Sequence, residues 1–181
     1  FINDAYHAIC DWEGAPWPFL NASTTGVAPM SIADLREIVY VTDTTMDNRL
    51  EQATFQDIVD LDPSLEQTGT PERYYINGLT QLLVWPANTS NTLVVRYNKY
   101  APDLALDADV PFIPTRYQSV IVDMAEVLAY QDASDYASAA PKLEAVTARI
   151  QRMMTGLLHR ANDDPDYIVV TNHDLTGWTG C

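Results

Sequence analysis

Hydrophobic patterning is densest between Pro71 and Tyr100. Arg73 to Ile76 is an aromatic and β-branched run and Leu79 to Trp85 a second apolar run. Between them stands Asn77-Gly78, the dipeptide that accepts the two positive φ angles of a type I′ turn, so the pattern predicts a hairpin. Pro86 has no N–H to give a ladder and closes the second strand. After the turn-like Asn88 to Asn91, the residues Leu93, Val95 and Tyr97 alternate with Thr92, Val94 and Arg96. That alternation predicts a third strand and, with it, a three-stranded antiparallel meander.

Upstream, apolar residues at Phe1, Ile2, Ala5, Tyr6 and Ile9 recur at helical spacing and predict a short helix over Phe1 to Asp11. Trp12, Trp17, Phe19 and Leu20 follow, interrupted by Gly14, Pro16 and Pro18, and read as an aromatic plug packing that helix on the sheet. Asn21 to Pro29 is small and polar, a loop with a weak edge strand at Ser23 to Val27. Ser31 to Asp34 opens a turn, and Glu37 to Thr42 reads as a strand able to bury both faces. Asp47 to Asp62 is ambiguous; its apolar residues fit a short helix from about Thr54, with Asp57 completing a capping box and Asp62-Pro63 ending it. Ser64 to Thr70 is a polar loop.

Beyond Tyr100 the pattern changes. Pro102, Pro111 and Pro114 punctuate an acidic connector, after which Tyr117, Val120, Ile121, Met124, Val127 and Leu128 share one helical face. Ser134-Asp135 ends this helix. A second helix follows, with Ser138 as expected cap and Pro141 in its first turn. Ala139, Leu143, Val146, Ile150, Met153 and Leu157 form a regular stripe, the natural seam for antiparallel pairing with the preceding helix. Asp163-Asp164-Pro165-Asp166 breaks the second helix, leaving a β-prone run at Tyr167 to Thr171 and an isolated Trp178. Such a tail folds back on its own domain or docks on another chain, by strand addition or as an aromatic anchor.

The expected architecture is α+β: a small helical bundle, made of the N-terminal helix and two antiparallel C-terminal helices, carrying a central antiparallel β-sheet insertion and an extended tail. The chain of 181 residues supports one domain rather than two. Its parts are residues 1–20, the helix and plug; 21–100, the β-rich part; 101–114, the acidic linker; 115–160, the helical pair; and 161–181, the tail.

Composition narrows the function classes. Ten basic against 25 acidic residues give a formal net charge of −15, the wrong sign for binding a free duplex through its phosphates. The acidity is scattered, which describes a solvated surface rather than a nucleic-acid decoy. Cys10 and Cys181 are isolated thiols suited to a reducing compartment, the alternative being a disulfide that ties the two ends, which no other feature supports. No apolar run reaches the roughly 20 residues of a membrane span, and no signal peptide is read. The chain opens at Phe1, so residues are expected upstream. The sequons at Asn21 and Asn88 read as turns. His7, His159 and His173 lack partners at metal spacing, and neither a nucleophile elbow nor a phosphate loop is present. No catalytic residue, metal or cofactor is therefore expected.

The order of elements, and the string Arg73-Tyr74-Tyr75-Ile76-Asn77-Gly78-Leu79-Thr80-Gln81-Leu82-Leu83-Val84-Trp85-Pro86-Ala87, resemble the head-to-tail adaptor (connector) proteins of tailed bacteriophages. Arg96-Tyr97-Asn98-Lys99 and Pro114-Thr115-Arg116-Tyr117 fit the same pattern, and the resemblance covers roughly residues 1 to 160. It implies a non-enzymatic virion protein of the neck, made in the host cytoplasm, forming a ring beneath the portal and continuing the DNA channel to the tail. The implied partners are the portal, neighbouring copies in a dodecamer, nozzle or tail-tube proteins and fibres, with DNA passing unbound and no membrane. Tyr167, Ile168, Val169, Val170 and Trp178 are the expected portal or neighbour contacts, and Asp103, Asp107 and Asp109 the expected acidic channel lining. A different class, a carbohydrate-binding or hydrolytic module, would instead present Trp12, Trp17 and Trp85 as exposed platforms.

Overall fold

The computed structural model describes residues 1–12, 15, 17–106 and 108–161. In chain order its elements are α1 (Ile2–Cys10), β1 (Asn21–Gly26), β2 (Met30–Ser31), β3 (Leu35–Asp43), β4 (Asn48–Gln52), α2 (Phe55–Leu61), β5 (Arg73–Asn77), β6 (Gln81–Trp85), β7 (Leu93–Lys99), α3 (Ser119–Asp132) and α4 (Tyr136–Ala161). Short 3-10 turns at Pro18–Leu20 and Thr115–Tyr117 precede β1 and α3.

The strands form one seven-stranded, nearly closed, barrel-like sheet in the order β1-β7-β3-β4-β5-β6-β2. This overturns the expected helical bundle with a small sheet insertion: the sheet dominates a mixed α/β fold. It also overturns the meander, because β7 does not pair with β6. It lies between β1 and β3, antiparallel to both. The strand is apolar enough to be central, with Leu93, Val95 and Tyr97 all buried. β4 escaped sequence reading because Asn-Arg-Leu-Glu-Gln carries one apolar residue, Leu50. It pairs with β5 in parallel through Glu51–Arg73 and Gln52–Tyr74, an arrangement that needs a crossover. Helix α2 provides it, and its capping box is as expected: the Thr54 hydroxyl accepts from Asp57 N, and the Asp57 carboxylate from Thr54 N.

The β5–β6 hairpin is present, but its turn is not the expected type I′. Asn77 pairs with Gln81, leaving Gly78-Leu79-Thr80 as the loop, and only Gly78, at φ 68°, is left-handed. β3 carries two extra residues against β7, at Arg36 and Val39. Bulges re-aim side chains, and these leave Val39 half exposed, so this strand does not bury both faces. The first bulge instead directs Arg36 at the end of α1. There its guanidinium donates to Cys10 O at 3.0 Å and pairs with Asp11 at 3.2 Å, a cation at the negative end of a helix.

A second core lies among α1, α3, α4 and the aromatic plug. Trp17 is buried and its indole Nε1 donates to Ile9 O at 2.9 Å, so the plug fills the helical core rather than the sheet. Asn3 holds the linker through both polar atoms of its amide, bonded to Leu104 O and N, and Tyr6 Oη accepts from Phe112 N. Ala139, Val146, Ile150 and Met153 are buried along the expected seam. Ion pairs Glu126–Lys142 and Asp123–Arg149 run in opposite chain directions along α3 and α4, making the helices antiparallel. The cap of α4 lies earlier than expected: Asp135 accepts from Ser138 N. Pro141 therefore falls inside the helix, where it leaves the exposed Ala137 carbonyl to solvent.

Ile150→Ala is expected to lower stability by about 2–5 kcal/mol, and Leu143→Ala, half buried on the same stripe, by less. Urea midpoints with an unchanged m value would show it. A second prediction concerns the buried Asp62, whose carboxylate accepts from Gln67 N at 2.9 Å, Ser64 Oγ at 3.0 Å and Trp85 Nε1 at 3.4 Å. The Gln67 amide foremost, then the Ser64 hydroxyl and the Trp85 indole, hold this carboxyl below its ordinary 3.8. A depressed folded pKa stabilises above the unfolded value and is lost as pH falls through the folded one. Asp62→Asn is thus expected to melt lower than the parent at pH 7, with the gap closing once the pH drops below 3.8.

Candidate assembly surfaces

The two ends of the sheet differ in construction. At one end β1 begins, β7 finishes and β3 begins: β1 and β7 lead into the helical core, to which Leu20 and Ala101 belong, and the start of β3 is held beside them by Tyr100 N donating to Asp34 O. At the other end the 43–47 turn and the 88–92 turn are knitted together. Asp43, fully buried, accepts from Thr45 N, Met46 N and the Asn91 amide. Thr44 N and its hydroxyl both donate to Thr92 O, while Thr92 N donates to Thr45 Oγ1. Asn88 accepts from Ser90 N and Asn91 N, the turn expected at that sequon. The tip so braced presents Met46, which is 53% exposed.

On the sheet surface between these ends, the Arg49 and Arg96 guanidiniums lie 5.3 and 5.8 Å from the Tyr40 ring centroid. A groove of about 440 Å³ runs past Tyr40, Arg49 and Glu51. In the basic-aromatic stretch Arg96 to Tyr100, alternation buries Tyr97 and leaves Arg96 exposed, but Asn98 on the opposite face is buried as well, while Tyr100 is exposed.

Of the expected site residues, Asp103 sits on the surface with its carboxylate 2.8 Å from His7 Nε2. Asp109 accepts from Ala105 N and Leu106 N, bracing a linker turn whose Leu106 and Val110 are 70% and 73% exposed. Asp107 lies outside the described residues, as do Tyr167, Ile168, Val169, Val170, Trp178, His173 and Cys181. Sequence reading missed Asp43 and the Arg49–Tyr40–Arg96 group. The Asp-Thr-Thr turn signal could have found the first, whereas the second is assembled by the β3–β4 and β3–β7 pairings together.

The chemistry on view is structural. Burial, then the neighbouring Asp11 carboxylate, pushes the Cys10 thiol up to about 12, so it stays a thiol at neutral pH. Among the described residues no three His, Cys, Asp or Glu side chains are grouped to hold a metal, and no helix is long and apolar enough to cross a membrane. Trp17 is buried and Trp12 and Trp85 are half buried, so none of the three is an exposed platform.

The described residues thus present a braced tip, a helical end and the outer surface of the sheet. The chain belongs to the SU10 adaptor protein family, whose model matches residues 1–171. That is a family of phage head-to-tail adaptors, which makes this a structural protein of the head–tail neck that meets other head and tail components. The match runs past the residue 160 at which the resemblance ends and takes in Tyr167 to Thr171, leaving Trp178 outside. No curated protein matches the chain.

Asp43→Ala removes the acceptor of three donors and is expected to cost about 3 kcal/mol. Amide exchange at Thr45 and Met46 should accelerate ahead of the sheet as a whole, because the tip opens locally.

Proposed function

We propose that the protein is a non-enzymatic ring subunit beneath the portal, joining the packaged head to the tail and continuing the DNA channel. The observation that carries this reading is the family match over residues 1–171, and the two unlike ends of the molecule support it. A ring stacked between two bodies needs opposite faces of different chemistry, and a heterologous contact between copies to close it. The helical end and the tail, with Tyr167, Ile168, Val169, Val170 and Trp178, meet the portal or the neighbouring subunit. The braced tip faces nozzle, tail-tube or fibre proteins. Asp103, Asp107 and Asp109 contribute an acidic lining over which DNA slides without adhering, an effect that screening limits to about 10 Å.

Light scattering behind a sizing column tests this, on the chain alone and mixed with the portal protein of the same phage. The expected outcome is a subunit that joins the portal in stoichiometric copies, the mass giving their number, and a variant lacking residues 166–181 that binds the portal more weakly. A chain that ignores the portal overturns the reading, and undiminished binding by the truncated chain removes the tail from the interface.

A further inference from the structure

The two edges of the sheet are managed differently. β2 offers two residues, Met30 and Ser31, directly after Pro29, and pairs among the described residues with Leu82 and Gln81. β1 offers six, Asn-Ala-Ser-Thr-Thr-Gly, every one paired to β7 on one side. On the other side Asn21 N turns back to Pro18 O, and no further backbone hydrogen bond from Ala22 to Gly26 is made among the described residues. Exposed edges are ordinarily blunted by brevity, proline, a bulge or a charged side chain. β1 has none of these: it is six residues long, free of proline and charge, and in unbroken register. The sheet core is also ragged here, since Ala22 and Met30 pack on it while only partly buried, and Gly26 backs onto the Met30 side chain.

One segment of the chain suits this edge. Tyr167 to Thr171 is a β-prone, uncharged five-residue run outside the described residues, and the family match ends at its last residue. Its alternation puts Ile168 and Val170 on one face and Tyr167, Val169 and Thr171 on the other. The first pair would cover the Ala22 side of β1, which is partly buried, and the second set would continue its exposed Ser23 and Thr25 side. The spacer, residues 162–166, can extend over about 17 Å at some 3.4 Å per residue. It is also where the acidic residues lie, so the paired segments themselves are neutral. That matters between copies that each carry −15.

We infer that the open edge of β1 receives Tyr167–Thr171 of a neighbouring copy as an added antiparallel or parallel strand, so that each subunit gives one strand and takes one. The inference rests on the ring reading above and names the surface that binds the tail. Such an exchange is heterologous and closes a ring when its rotation allows. Backbone hydrogen bonds supply the affinity, as in other strand additions, and the apolar pair sets the face.

Cysteine trapping in full-length chains tests it. In a Cys181→Ser background, one preparation carries Ser23→Cys or Thr25→Cys and another carries Val169→Cys; the two are mixed, assembled on the portal and oxidised mildly. Disulfide-linked dimers of one chain of each kind are expected. They should be lost when the edge cysteine is moved to Ser31, or when Val170→Pro is added to the tail. Assembly without that cross-link overturns the strand exchange and leaves the ring intact. A double variant, Ser23→Cys with Val169→Cys, that links only within one chain also overturns it, in favour of a tail folded on its own sheet. Failure to assemble at all, with every variant folded by circular dichroism, sinks this inference and the ring together.

Discussion

The ladder on both sides of β7 is the constraint from which the rest follows. This strand comes late in the sequence, yet it must find β1, with Asn21 opposite Asn98, and β3, with Leu35 opposite Lys99. Neither partner is local, so the loop-closure entropy of some 60 to 80 residues has to be met before these contacts return anything. Once β7 is seated, its last residues run straight into Ala101 and the helical core. The same pairing also places the start of β1 just after the aromatic plug. The β7 ladder thereby fixes the position of the helices as well as of the sheet, with Arg36 as a polar tie between them. The bulge at that residue is what points the guanidinium at α1 instead of at a neighbouring strand.

Charge is distributed so that some of the few cations are committed to structure. Arg36 ties α1, Lys142 and Arg149 lace α4 to α3, and Lys99 lies over the Phe112 ring at 3.9 Å. Exposed pairs of this kind are worth at most about 1 kcal/mol each, so their effect on the fold is small. Arg49, Arg96, Arg116 and Arg152 are exposed as well, so the surface carries both signs and only its balance, 25 acidic against ten basic residues, is negative. Contact between copies through charged patches would then be repulsive on balance, and neutral surfaces such as β1 and the exposed Leu106 and Val110 become the places where association costs least.

What could be read from residues alone was local. The Thr54–Asp57 box, the Ala139-to-Leu157 stripe and the buried Trp17 follow from spacings within one turn or one face, and a single chain displays those completely. The larger errors were non-local. Leu93 to Tyr97 reads as a strand whichever partner it takes, and adjacency in sequence favoured the wrong one. β4 and β1 carry almost no apolar signal because their place is set by neighbours: Leu50 by Val41, and Ala22 by Tyr97. The expected bundle followed from that undercount, since the strongest periodicity in the chain belongs to α4. The Asn77-Gly78 turn failed for a smaller reason. The Asn77–Gln81 pairing lengthened the loop to three residues, so asparagine stayed in the strand and glycine alone took positive φ.

An unguarded edge on a free subunit is a hazard as well as a binding site, since any extended chain can add to it. The acidity of the molecule answers part of that difficulty. Copies carrying −15 repel within about 10 Å at physiological salt, and the gain from one short added strand must exceed that repulsion together with the entropy of ordering the tail. If the tail strand is exchanged as inferred above, this balance would oppose the exchange in free solution. On a platform that holds neighbours side by side the exchange becomes nearly intramolecular, at an effective concentration in the millimolar range for a short flexible spacer. The spacer of residues 162–166 is short, acidic and contains Pro165, so it favours a partner held close by over one met by diffusion. An adaptor built this way would remain a monomer until the portal gathers its copies, and would then close the ring through neutral strands that the rest of its surface keeps apart.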